Sequence, residues 1–572
     1  MGEPTRRRIR TAWMPGSIAA AAALLAACAS IEDSPPARSI EPMPGLGSST
    51  FHVTARDEQA RAWFAQGLLL TYAFEHAEAA RVFRAALARD PSCAMCAWGV
   101  AYALGPNINN PDRGPARDIR RFIARAQAAA GGATPVERAL IDAMAVRYGH
   151  ADERTQKAYE AMGAAMCSTR KTERKVDPQE LAYAAAMADV VERFPQDPDV
   201  VTLYADAVMS TLPWNWWDAK TGQANGTVGD VVARLSATTR THPRHTGVLH
   251  FYVHVAEHSP DPRQAGAAAD GLGGEAPAAP HLVHMGSHIY KNIGRFADGS
   301  RANEQALEVQ KRFDAALKAQ GVPLRGNWDW HHLHFLWYSA LMEGRTGLSL
   351  RTAREIERRF GSRGDGFGEY ARLLPLATLV RLQRWDDVLA EPVFPHGLGL
   401  LAGYGAYARG MAYAHTGRLP QAKAQLAEVA SVSAQPTLQR AAISGEALPA
   451  KMLATVHDTL AATIARAERR HDEAIALLRK AAELDDEFGS DPPLLGGGVR
   501  LALAGALLDA GQLDAAGHEI AEALRLNGPS AWTHQGLAQL AELHGAPDES
   551  RRHAESARAA WANADGADLA RL

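Results

Sequence analysis

Histidine crowds three short stretches of the chain: residues 250–258 read HFYVHVAEH, residues 281–288 read HLVHMGSH and residues 331–334 read HHLH. On a helix turning ~100° per residue, His250 and His254 lie about 40° apart and Glu257 about 20° to the other side. His281, His284 and His288 share about 60° of arc. Two imidazoles at i and i+4 can reach one ion at ~2.0–2.1 Å, as in helical zinc sites. The spacing therefore predicts that His250, His254, His284 and His288 form one ligand set. His281 and His334 are further candidate ligands, and Glu257 is a ligand or a general base. His331 and His332 stand ready to add ligands or to orient them. Imidazole with carboxylate suits Zn, Cu, Fe or Ni, and nothing in the spacing chooses among them. Two other chemistries use the same residues. One is a metal-free groove whose imidazoles hydrogen-bond a polar ligand, and the other is purely structural bonding, with His258 capping a helix end.

Smaller constellations accompany the histidines. Trp214, Trp216 and Trp217 fall within four residues, and Trp328 and Trp330 flank Asp329. Such clusters either stack a sugar, peptide or cofactor at a groove rim or plug the space between repeats. Asn107 and Asn109 sit in a turn-rich insertion, GPNINNP, and are further candidate ligand-binding residues. Cys93 and Cys96 form a C-x-x-C after Pro91, read as a local disulfide, a copper-like set with Met95, or a redox pair. Cys167 is left over.

The elements that must position these groups are helices. Val/Ile/Thr alternation is rare, while Ala, Leu, Arg and Glu recur at helical spacing. In residues 60–93, Trp63, Gly67, Ala79, Phe83, Ala86 and Pro91 stand at the spacings of a tetratricopeptide repeat, which that segment resembles over one 34-residue unit. The pattern returns at Tyr290, Gly294 and Ala306, at Tyr413, Gly417 and Ala422, and at Ala474, Leu478 and Ala481. Gly511 and Gly545 mark corresponding turns. The expected fold is all-α, a tetratricopeptide-like solenoid of helical hairpins, with the histidines on first helices and so on the concave face. Breaks in the pattern divide it into an elaborated array over 51–358, a Gly-rich joint at 359–369 and a more regular array over 370–572.

The first 27 residues read as an export signal: Arg6, Arg7, Arg8 and Arg10, then an apolar run from Ile18 to Leu25. Leu25-Ala26-Ala27-Cys28 resembles a bacterial lipobox, which implies lipidation at Cys28, with Ala29 favouring the outer membrane. Thr5-Arg6-Arg7-Arg8-Ile9 also resembles a twin-arginine signal. Residues 28–50, with Pro35, Pro36, Pro42 and Pro44, read as a flexible tether. The segments YADAVM, PWNWWD, HFYVHVAEHSPDP and HLVHMGSHIY resemble those shared by bacterial exported tetratricopeptide proteins, and Gly286 stands where that group has Pro.

Composition removes several classes. The chain has 572 residues, 61 Lys+Arg against 64 Asp+Glu and a net charge of −3, which argues against a nucleic-acid binder. Four cysteines do not make a disulfide scaffold. What remains is an envelope protein, lipid-anchored, whose groove binds a protein, a peptide or a small ligand and carries a metal site. The alternatives are a metal-dependent hydrolase or oxidoreductase working through the same histidines with Glu257, and a metal carrier or sensor.

Overall fold

The computed structural model describes residues 40–110, 119–159, 176–218, 221–324, 329–364, 366–395, 397–439, 448–486 and 498–565. Helix follows helix throughout, and the described residues hold no strand, only isolated bridges such as Asn107 with Asn110. Neighbours pack as hairpins: Glu58–Tyr72 on His76–Arg89, Gly399–His415 on Leu419–Ser433, and Ala531–Leu543 on Pro547–Ala560. The fold is an all-α solenoid of helical hairpins.

Small residues set the hairpin spacing. A Cβ on Gly67 or on Gly99 would stand 2.8 or 2.5 Å from the Phe83 ring. Three helices therefore close around one phenyl group because two of them present no side chain there. The turn inside a hairpin holds one left-handed residue. Gly294, Gly344, Gly417, Gly511 and Gly545 supply it at φ of 79°, 70°, 76°, 70° and 71°. Phe74, at φ 59°, occupies the same place in the first hairpin, where a side chain pays steric strain for being there.

At the histidine-bearing hairpins the first helix lies inside and the second outside. All 12 residues of Thr246–Glu257 are buried, against three of ten in its partner Gly266–Glu275. Thr246–Glu257 also packs on Glu58–Tyr72, so the superhelix meets itself. The groove expected on the concave face at the histidines is thus filled by the chain's own first hairpin.

The tether reading is corrected at its second half. Residues 40–57 run as an extended strap along the starts of the first helices, in reverse chain order. The Glu41 amide donates to Gln320, the Ala278 amide to the Gly45 carbonyl, and the Thr246 amide to the Ser48 carbonyl. The Thr50 amide then donates to Asp199, that of Thr54 to Glu137 and that of Arg56 to Asp90, at 3.2, 2.6 and 2.6 Å. The prolines make the strap extended, and carboxylates at or just before the helix starts satisfy its amides.

The two largest apolar cores carry most of the structure. The first takes in Ile40 to Tyr290 with Phe313 and Leu317, and the second runs from Phe296 to Trp561. At the expected Gly-rich joint, Thr346–Phe360 and Gly366–Arg381 pack directly on each other, and both contribute to the second core. Inside the first core, Arg147 is 1% exposed and bonds Glu180 through Nε and Nη2 at 2.8 and 2.7 Å. The same guanidinium donates to the Pro106 carbonyl and so fixes the insertion after residue 104. Asn107 is spent there: its Oδ1 accepts from the Asn109 and Asn110 amides, a local turn rather than a ligand contact. Asn109 is exposed. Cys93 and Cys96 are disulfide-bonded at the start of Ala94–Leu104, buried together with Met95.

Candidate metal centre

Three consecutive hairpins bring their first helices together: Thr246–Glu257, then Pro280–His284 continued by Gly286–Ile293, then Asp329–Met342. Each presents histidines inward, as helical periodicity requires. They gather as two triads rather than one set. The ligand nitrogens of His250, His254 and His281 all lie within 4.8 Å of one another, and so do those of His284, His288 and His331. The expected quartet is therefore divided. His250 and His254 face His281, and His284 and His288 face His331, because third ligands from the same or the next helix lie closer than the other pair. The triads adjoin, with ring centroids 5.7 Å apart for His254 and His288 and 6.0 Å for His281 and His284.

The hydrogen bonds fix which nitrogen faces inward. His250 donates from Nδ1 to the Tyr72 carbonyl at 2.6 Å. His284 Nδ1 meets Asn303 Oδ1 at 2.6 Å, and the Asn303 amide nitrogen is committed to the Gly299 carbonyl, so the oxygen must face the imidazole. Glu257 accepts from His254 Nδ1 at 3.1 Å and from His288 Nδ1 at 2.5 Å. With Nδ1 protonated, Nε2 carries the lone pair. The Nε2 atoms of His284 and His288 stand 2.9 Å apart, and His331 Nε2 is 3.3 Å from that of His288. In the first triad, His250 and His281 approach through Nε2 at 3.2 Å.

Burial reinforces this state. His250, His281 and His284 are each pushed well below the usual imidazole range, first by desolvation and then by a neighbouring histidine: His254, His250 and His331 respectively. His332, packed 5.0 Å from the His284 ring, is pushed down to about 3 by burial and by His288. Neither of its buried nitrogens has a hydrogen-bond partner among the described residues. Burial alone would raise the Glu257 carboxyl, but the charges of His288 and His258 and the bond from His254 hold it well below its ordinary value. Glu257 is consequently a permanent acceptor with both oxygens engaged. That places it to orient two imidazoles.

Other expected residues divide. His334 leaves the site: its Nε2 meets the Tyr370 hydroxyl at 2.9 Å, and its ring stacks between Trp330 and Trp337 at 5.3 and 5.4 Å. His331, half-buried and one turn before Phe335, faces His288 and His284. Trp216 and Trp217 are plugs, donating their indole N–H to the Met209 and Val255 carbonyls. Trp214 is 42% exposed, held at φ 61°, and stands edge-on to His254 at 5.7 Å. Trp330 packs on Phe360 and Phe367, away from the triads. Trp328, Cys28 and Cys167 lie outside the described residues. Gly286 opens the second of two short helices, after a break at Met285; a Cβ there would stand 2.9 Å from the Ala269 carbonyl oxygen, so glycine lets Gly286–Ile293 seat closely. His258 is the C-cap of Thr246–Glu257, as the structural alternative expects.

Phe74 is the residue that sequence reasoning missed. Its ring lies 4.4 Å from His250 and stacks on His254 and His281 at 5.5 and 5.2 Å. The strained turn of the first hairpin thus closes the first triad from across the superhelix. Asn303 was also unforeseen; its signal is a polar residue at a buried position of Phe296–Ala319.

No family model matches the chain and no curated protein does. Among solved structures, it is similar to the APC/C hetero-tetramer Cut9-Hcn1, at 14% identity over 89% of this chain and 94% of that one, with a TM-score of 0.23.

Proposed function

We propose that the chain is a two-metal protein of the bacterial envelope. His250, His254 and His281 hold one first-row transition-metal ion through Nε2, and His284, His288 and His331 hold a second. The observation that carries this is the His284–His288 contact. Two Nε2 atoms face each other at 2.9 Å while both Nδ1 positions are engaged by oxygen acceptors, so that in the neutral rings two lone pairs meet. Lone pairs at that distance repel, and a shared cation reverses the sign. Three imidazoles leave a fourth position open on a tetrahedral ion, the arrangement of sites that bind or activate a small molecule. His331 is the half-buried member, so the second triad is the one that solvent and ligands reach.

Elemental analysis of the purified chain tests this. Two ions per chain are expected, falling to about one in the His284→Ala/His331→Ala double variant, since a single remaining imidazole binds too weakly to survive dialysis. Absence of tightly bound metal after reconstitution with Zn, Cu, Fe and Ni in turn would defeat the proposal.

Anchoring forms part of the same reading. No helix among the described residues is long and apolar enough to cross a membrane. The lipobox at Leu25–Cys28 supports a lipid anchor at Cys28, on the periplasmic face of the outer membrane. Cys28→Ser is expected to move the protein from the membrane to the soluble fraction. A variant that stays in the membrane fraction and still labels with palmitate would exclude Cys28 as the anchor.

A further inference from the structure

A cavity of about 460 Å³ opens among the C-terminal hairpins, walled by first helices Gly366–Arg381, Gly399–His415, Leu448–Ala467, Gly498–Asp509 and Ala531–Leu543. Its volume falls in the range of small-molecule sites, and its walls are largely apolar and aromatic. One charged group interrupts them. The Arg381 guanidinium lies on the Trp532 ring, 3.9 Å from the centroid, with Nε and Nη2 buried and without a hydrogen-bond partner among the described residues. No carboxylate among the described residues comes within ion-pair distance of it.

The surroundings sharpen the anomaly. Desolvation lowers Arg381 only to about 10, so it stays cationic at neutral pH. Asp485, whose field reaches it, is pushed up to about 7 by burial and by Asp486, so it supplies only part of a counter-charge. Arg466, also on the wall, is already paired with Asp509. Gly498 begins its helix beside the guanidinium, where a Cβ would stand 3.3 Å from Nη1, so no side chain covers it on that side. A buried cation left unpaired is strongly unfavourable, and a bound anion removes the cost.

We propose that this cavity binds an apolar monocarboxylate, with its carboxylate on the Arg381 guanidinium and its hydrocarbon body against Trp532, Tyr404 and Met411. A single cation without an ion-pair partner in largely apolar walls matches one negative charge with a hydrophobic tail, rather than a doubly charged, hydrated phosphate. The site is independent of the histidine triads.

Calorimetric titration of the full mature chain with decanoate, decanol and inorganic phosphate tests it. Decanoate is expected to bind saturably and at least about tenfold tighter than decanol, the worth of a charge-assisted pair of hydrogen bonds. Phosphate should produce no saturable heat. Arg381→Met should abolish the preference for decanoate while leaving decanol binding and the thermal midpoint in place, because it deletes an unpaired charge. Equal binding of decanoate and decanol by the unaltered chain would overturn the proposal, as would saturable phosphate binding that displaces decanoate. The first of these needs no variant, so it decides even if Arg381→Met fails to fold.

Discussion

Glu257→Ala is expected to weaken both histidine triads at once. One carboxylate accepts from His254 Nδ1 in the first triad and from His288 Nδ1 in the second. Removing it frees two rings to rotate and to take the other tautomer, which turns N–H rather than lone pair toward the ion. Loss of a single orienting partner costs about 10–100-fold in metal affinity, and here the loss falls on two ions. Glu257→Gln separates the contributions. Its amide presents one acceptor and one donor, so it can hold one imidazole correctly but must confront the other with an N–H. The glutamine variant should therefore keep one strong ion and lose the other. Chelator competition on both variants measures this, and two unchanged affinities in Glu257→Ala would remove Glu257 from the site.

The largest expected effect on stability lies elsewhere, at Arg147. Arg147→Ala leaves Glu180 buried without its cation and frees the Pro106 carbonyl, so the N-terminal core should lose about 3–5 kcal/mol. The figure measures the stranded carboxylate more than the worth of the pair. Hence Arg147→Met combined with Glu180→Leu, which strands nothing, should recover most of the loss. Urea unfolding monitored by far-ultraviolet circular dichroism provides the comparison. A single variant costing under about 1 kcal/mol would show that water reaches Glu180, as it does exposed pairs.

What could be read in the sequence was what one helix or one hairpin decides. Gly67 against Phe83, and the turns at Gly511 and Gly545, follow from local spacing, and the structure keeps them. The inward direction of His250, His254, His284 and His288 is likewise periodicity. The division into triads is not, because it depends on how far one helix slides along the next. The sequence names His334 as a candidate ligand and His331 only as a residue that could add to or orient the set, yet His331 meets His288 while His334 turns to Tyr370. Phe74 was invisible for a stronger reason: it reaches His250 across 176 residues of chain through closure of the superhelix. Glu257 was found, but not its two partners. Its residue type fits a ligand or a base, and only the structure shows both oxygens engaged by His254 and His288.

The strap carries a consequence for the order of assembly. Residue 41 bonds Gln320, 279 positions downstream, and residues 45 and 48 wait for Ala278 and Thr246. The earliest part of the body to leave the ribosome is thus among the last to find its partners. Nascent hairpins can form locally as they emerge, but the amides of residues 50, 54 and 56 are satisfied only after Asp199, Glu137 and Asp90 have been ordered in helices still to come. Contacts of such sequence separation are slow to make, since the chain between them must be organised first. The N-terminal segment works as a clasp fastened at the end of folding, one that records that the first 320 residues have all arrived in register.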